Sequence, residues 1–281
     1  MLEQSLIFII LIVITAVYAA FDVLNKRNIP NLFVYASLAL ALIITSTYSY
    51  TTIIYSLEIA LIAAVLGYLL YKKGFLGGGD FLEFIAVSLI LPLQPQPLLV
   101  SSISVPVPFI ISVLLAAGYA VSLYMPLYYL GRSKNPKRDK KRMLSGMVLL
   151  ISYALLITTM YALSYIHLLG IIVLGILGIA SFFVIIYESS IYEGMVAMVL
   201  PKSLEPGDMI ATSLMDKKDI EYFRKVSKNF DRLVTKKLLS EIKGVKKKVP
   251  VYRNSVPFAL FIFIGIIISL LFGNLMVLIL S

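Results

Sequence analysis

Residues 5–31 read SLIFIILIVITAVYAAFDVLNKRNIPN. The run 5–21 carries no charge and comes close to the ~20 apolar residues that cross a bilayer core as a helix. Asp22, Lys26 and Arg27 follow. Pro30 then stops the helix, because proline lacks the N–H and its ring clashes with the preceding turn. A lipid-length run that empties into an acid, two bases and a proline predicts a membrane helix leaving the bilayer through a basic face. Met1 to Gln4 hold no basic residue and no small-residue cleavage site follows, so the run reads as a retained span and not a signal peptide.

The pattern recurs along the chain. Apolar runs fall at about 5–21, 31–47, 53–71, 80–93, 107–130, 143–163, 167–187 and 257–280. Each must be helical, since lipid offers backbone groups no partner. The sequence therefore predicts an all-α polytopic membrane bundle of about eight transmembrane helices. Composition agrees: 60% of the 281 residues are hydrophobic and 14% charged, against roughly 45–50% and 25% in soluble domains. With a mean hydropathy of +0.94, an ordinary water-soluble enzyme is excluded. The run 80–93 is the shortest, because Pro92, Pro95 and Pro97 limit it to about 20 Å of helix.

Lysine and arginine set the orientation. All 25 fall after the first, third and fifth runs or between Lys202 and Arg253, while the loops Ser46 to Thr52, Gln94 to Pro106 and Ser164 to His167 contain none. This positive-inside pattern puts both termini outside and the basic loops in the cytoplasm. The net charge of +10 then implies attachment to an anionic cytoplasmic leaflet, with no nucleic-acid partner. The chain divides into a transmembrane bundle, 1–187, a polar cytoplasmic segment, 188–256, and a final span, 257–281. Within the polar segment Ile220, Phe223, Val226, Phe230, Leu233 and Val234 recur at helical steps between Asp216 and Gly244, predicting one amphipathic helix of about 27 residues. It either lies in the headgroup plane, covers the bundle, or packs on a small domain of its own. Glu205 to Asp208 reads as a turn.

The absence of cysteine and the single histidine leave no thiol nucleophile, no Cys-ligated zinc and no His-based metal site; no cofactor is implied. Chemistry must rest on carboxylates, hydroxyls or amines. Four acids lie near membrane depth: Asp22, Glu58, Asp80 and Glu83. An ionised acid at a helix centre in the bilayer costs about 2.5–3.5 kcal/mol, so such acids are functional candidates. The threading puts Asp22, ending the first span, and Asp80, opening the fourth in Gly77-Gly78-Gly79-Asp80, at one depth on the cytoplasmic face. Two carboxylates so placed are what an aspartic peptidase uses, one ionised to deprotonate water and one protonated to donate to the scissile carbonyl. The three glycines would leave backbone open to an extended substrate.

Structural alternatives stand beside this. Asp80 with Glu83 three residues on has the form of a capping box, and Asp22 could pair with Lys26. A carboxylate at the end of a helix opposes its dipole and one at the start is favoured, which casts Asp80 as the base and Asp22 as the acid. Glu83 would receive a basic residue of the substrate or serve as a cap. Glu58, near the external end of its span, reads as an interfacial or interhelical hydrogen-bonding group. His167 reads as a solvated or satisfied imidazole.

Asp22 followed by Ile29-Pro30-Asn31, the string Gly77-Gly78-Gly79-Asp80, and the two spans between them resemble the type 4 prepilin peptidases, in particular their archaeal preflagellin and prepilin branch, among the GxGD aspartic proteases. The resemblance covers about the first 130 residues, and the last span, entered through Val256-Pro257, resembles the end of the archaeal members. It implies cleavage of the short basic leader of type IV pilin-like or archaellin precursors at the cytoplasmic membrane face, with Asp22 and Asp80 as the catalytic pair. Leu82 stands where many members have lysine, the Asp-to-Pro spacing is slightly longer, and the sixth and seventh spans look inserted. A Cys-free chain cannot hold the Cys-rich loop of the methylating bacterial members, which implies peptidase without methyltransferase activity. Three other readings compete, one of them a catalytically silent scaffold for a surface filament. A presenilin-like protease would show Tyr-Asp in mid-span, whereas Phe21 precedes Asp22 at a span end. An ion- or proton-coupled transporter would place its carboxylates nearer the midplane.

Overall fold

The computed structural model describes residues 3–25, 29–72, 77–100, 106–132, 136, 138–228, 230–252 and 256–280. Proline, glycine and basic loops cut the apolar chain into α1 (Gln4–Leu24), α2 (Asn31–Ser46), α3 (Tyr50–Lys72), α4 (Gly78–Ile90), α5 (Phe109–Arg132), α6 (Lys140–Ala162) and α7 (Leu168–Ile186). Then come α8 (Glu188–Met195), β1 (Ala197–Val199), α9 (Lys217–Val226), α10 (Lys236–Ile242), β2 (Val249–Val251), α11 (Phe258–Phe272) and α12 (Leu275–Leu280). The molecule is a helical membrane bundle, and among the described residues it has one two-stranded antiparallel sheet, β1 with β2.

The expected eight spans are corrected. Among the described residues five helices, α1, α3, α5, α6 and α7, are long and apolar enough to cross a membrane, and α2 and α11 are shorter apolar helices. The cause is local. The second run is helical over the expected stretch but too short to count as a span, bounded by Pro30 and by the turn after Ser46. Gly273, with φ +83°, breaks the last run into α11 and α12, a backbone conformation only glycine adopts without strain.

The shortness of α4 is compensated by its neighbours. Its last carbonyls lack intrahelical donors. The Leu89 carbonyl accepts the Thr45 hydroxyl at 2.9 Å, and the Ile90 carbonyl accepts the Tyr48 hydroxyl. The chain beyond is extended and closes on itself: Gln94 N–H donates to Val107 O at 2.9 Å and Phe109 N–H to Pro92 O at 3.0 Å. Leu98 and Leu99 donate to Leu270 and Leu271 near the end of α11. Irregular backbone is tolerated at this depth because protein supplies its partners.

The main apolar cluster is built from α1, α2, α4, α5 and α11, with Leu11, Ile90, Phe109, Ile262 and Ile266 fully buried. Gly265 lets α11 press on α5: a Cβ there would lie 2.5 Å from the Val113 carbonyl oxygen. By contrast α3 and α6 leave Leu61, Leu66, Ile151 and Leu155 exposed, the surface expected of helices facing lipid.

The expected 27-residue amphipathic helix is also corrected. Asp216 does precede the start of α9, but the helix ends at Val226, and α10 begins only at Lys236. Phe230 folds back to stack on Phe223, with ring centroids 5.1 Å apart. The next residues run extended beside 207–210: Ile210 N–H donates to Arg232 O at 2.7 Å and Val234 N–H to Asp208 O at 2.9 Å. These side chains close over a second apolar cluster with Leu238, Ile242, Val249 and Val251. The turn at Glu205 to Asp208 is present, with Gly207 at φ +101°.

Candidate active site

Asp22 sits in the last turn of α1 and is 6% exposed. Its Oδ2 accepts the backbone N–H of Ala259 at 2.9 Å. Ala259 is the second residue of α11, whose first-turn N–H groups have no partner within the helix. Asp22 therefore caps a helix that begins far away in the sequence. The positive end of the α11 dipole faces it, and this field opposes that of the α1 C-terminus. The casting of Asp22 as the acid, which considered α1 alone, loses its basis. Lys26, its expected ion-pair partner, lies outside the described residues.

Asp80 is the third residue of α4, and its Oδ2 accepts the backbone N–H of Gly77 at 2.9 Å. This is one half of a capping box; the other half needs an N-cap side chain, which Gly77 lacks. The glycines before it do not form the open approach that the sequence suggested. A Cβ on Gly79 would lie 2.7 Å from Ile29 Cδ1 and 3.3 Å from Ile29 Cβ, so Ile29 already fills that space. Gly78 faces the Tyr71 ring at 3.8 Å. Only Gly77 is exposed. The glycines instead allow Ile29-Pro30, which leads from α1 into α2, to pack against the start of α4.

Glu83 is neither at the surface nor part of a cap. It is completely buried, one turn into α4, and neither carboxyl oxygen has a hydrogen-bond partner among the described residues. A leader residue arriving from solvent meets no exposed part of it. Asp80 acts on it electrostatically, and Asp22 less strongly. Both aspartates therefore address one carboxyl, from two helices. Next to Glu83, Phe84 meets Phe258 of α11 edge-on, with centroids 5.8 Å apart. The start of α11 thus touches α1 through Asp22 and α4 through Phe84.

Two members of this cluster had no assigned place in the sequence reading. Tyr18, fully buried one turn before Asp22, bonds Ser37 Oγ at 2.7 Å through its hydroxyl and is within electrostatic reach of Glu83 and Asp80. Its signal was available: Thr15, Tyr18 and Asp22 recur at helical spacing on one buried face of α1. The Ala259 N–H had none, because a backbone donor leaves no trace in residue type. Glu58 and His167 are exposed and lie on other elements. No group of three or more His, Cys, Asp or Glu side chains is arranged to hold a metal ion among the described residues.

The arrangement unites two carboxylates, each accepting one backbone N–H, with a third, unpartnered carboxyl and a tyrosine at one end of the bundle. Comparison with protein families matches residues 7–123 to the type IV leader peptidase family, a stretch that takes in most of α1, all of α2 to α4, both aspartates and the greater part of α5. Comparisons with curated proteins and with solved structures give no match.

Proposed function

From the match of residues 7–123 to the type IV leader peptidase family we propose that Asp22 and Asp80 form the catalytic pair of a membrane aspartic endopeptidase. Its substrate is a type IV pilin-like or archaellin precursor, cut after its short basic leader at the cytoplasmic face. What supports the reading is that the start of α11 joins the end of α1, through the bond from Ala259 to Asp22, to the first turns of α4, through Phe258 on Phe84, one turn from Asp80.

The chemistry needs one ionised and one protonated carboxyl. The ionised aspartate takes a proton from water as the water oxygen attacks the scissile carbonyl carbon, and the other donates its proton to the carbonyl oxygen. The tetrahedral intermediate then collapses: the C–N bond breaks, the first aspartate's proton passes to the leaving amine, and the hydroxyl proton returns to the second. Both acids are regenerated without a covalent enzyme intermediate or a cofactor. Gly77, exposed beside Asp80, is the backbone most open to an extended leader, while Gly78 and Gly79 hold the loop that presents it. The chain carries peptidase activity without methyltransferase activity, on a bundle at 1–187 closed by the apolar segment 257–281, with the basic loops and the 188–256 segment on an anionic cytoplasmic leaflet.

The test is co-expression with pilin-like precursors, comparing wild type with Asp22→Asn and Asp80→Asn. Both variants should insert in the membrane and leave precursors uncut. Cleavage that persists in either removes that aspartate from the mechanism, and a wild type that moves ions across vesicles without cutting any precursor would favour the transporter reading.

A further inference from the structure

Four buried side-chain oxygens lack a hydrogen-bond partner among the described residues, and two of them belong to Glu83. A buried carboxylate without partners costs several kcal/mol, and here it would stand beside two other acids. Leucine or glutamine would avoid that cost. What an acid offers here, and they do not, is an exchangeable proton.

The surrounding hydrogen bonds sort the three acids. Asp22 accepts Ala259 N–H and Asp80 accepts Gly77 N–H, whereas Glu83 accepts nothing. Tyr18 does not solvate it either. Ser37 Oγ donates to the Val34 carbonyl at 2.8 Å, so in the Tyr18–Ser37 bond the tyrosine is the donor. Its one hydroxyl proton is used, and its oxygen can only accept from another neighbour. Asp80 on the same helix and Asp22 and Tyr18 on α1 are the titratable groups within electrostatic reach of Glu83. Of the other helices packed on α4, α3 brings Tyr71 against Phe81, with ring centroids 5.6 Å apart, and Lys72 follows it at the helix end; neither is among the groups that act on Glu83.

We propose that Glu83 is the resting proton store of the aspartate pair, a positioning residue that acts through Asp22 and Asp80 and never touches substrate. The proposal rests on the peptidase reading above. At rest the carboxyl proton sits on Glu83 and both aspartates keep lone pairs on their N–H donors. When substrate binds, the proton passes from Glu83 to the aspartate that serves as acid, leaving Glu83 ionised; that aspartate donates to the carbonyl oxygen while its partner deprotonates water. On collapse the partner's proton leaves on the amine, and the carbonyl-derived proton returns through the acid to Glu83. Protons balance over the turnover.

The pH profile carries the signature. Removing Glu83 removes a proton site and a negative neighbour, so the remaining pair holds its single proton less tightly. With the full-length enzyme in detergent and a synthetic peptide bearing a lysine-containing leader before an apolar segment, Glu83→Gln should keep wild-type kcat at acid pH. Its alkaline limb should fall to lower pH by about one unit or more. An unmoved limb, or a folded variant inactive at every pH, overturns the proposal.

Infrared spectroscopy of the uncomplexed protein is independent of activity. At a pH between the alkaline limbs of the variant and of the wild type, the band of a buried protonated carboxyl should vanish in Glu83→Gln and survive in Asp22→Asn and Asp80→Asn. Its loss in either Asn variant assigns the proton to that aspartate and overturns the proposal, and these two spectra decide even if Glu83→Gln does not accumulate. A wild type that cuts no leader peptide sinks the peptidase reading, while the spectra still locate the proton.

Discussion

The carboxylate of Asp22, at the end of the first helix, accepts the backbone N–H of Ala259 at 2.9 Å, 237 residues further on. One side chain therefore does two separable things: it holds the start of α11, and it presents a carboxyl within electrostatic reach of Glu83.

Substitution separates the two. Asp22→Asn keeps a side-chain oxygen for Ala259, so thermal unfolding in detergent should change little while leader cleavage falls by about 10²–10⁴-fold, the usual worth of an acid–base group. Asp22→Ala loses the acceptor as well, and should lower stability by a further ~1–2 kcal/mol, as for other lost caps. Equal stability of the two variants would show that the bond to Ala259 contributes nothing.

Gly79 is where the chain between α1 and α2 meets the start of α4. Gly79→Ala drives a methyl against Ile29, and overpacking of this kind costs about 1–3 kcal/mol. The clash is with one side chain, so the double variant Gly79→Ala with Ile29→Ala should recover most of the lost melting temperature. Gly78→Ala, whose Cβ would make an ordinary 3.8 Å contact, should be tolerated without a second change.

At Gly265 the obstacle is backbone, the Val113 carbonyl oxygen of α5, which cannot turn aside. Gly265→Ala should therefore push α11 off α5, lowering stability by about 1–3 kcal/mol and, because α11 carries Ala259, reducing cleavage too. Melting and activity measured on the same preparation should fall together.

Thr45→Val preserves shape and removes the hydroxyl that meets the Leu89 carbonyl. Leaving that carbonyl unpaired should cost about 1–3 kcal/mol, read as a lower melting temperature, with the KM for a leader peptide unchanged because the bond lies at the far end of α4 from Asp80.

The sequence made the helical membrane bundle legible because apolar run length and basic loops are local quantities. The places of Asp22 in the last turn of α1 and of Asp80 in the first turn of α4 were legible for the same reason. What escaped depends on contacts between distant segments. Thr45 and Tyr48 replace the missing half of a span at the end of α4, and no run-length count registers such compensation. The two three-residue strands pair across a long stretch of chain, and Val249-Pro250-Val251 alone is too short to announce a strand. Phe230 continues the helical spacing of α9 and yet turns back onto Phe223, so periodicity extended the helix past its end. Glu83 resembled a cap by its position relative to Asp80; only burial among other helices distinguishes an orphaned acid from a surface one.

Ala197 of β1 lies opposite Val251 of β2, so the polypeptide leaves the bundle after α8 and returns for α11 at neighbouring points. The excursion between them is a pouch with a stitched mouth. Its contents can be trimmed, enlarged or exchanged for another module without rethreading the helices, provided the two strands stay sewn together and deliver Pro257 to the same place.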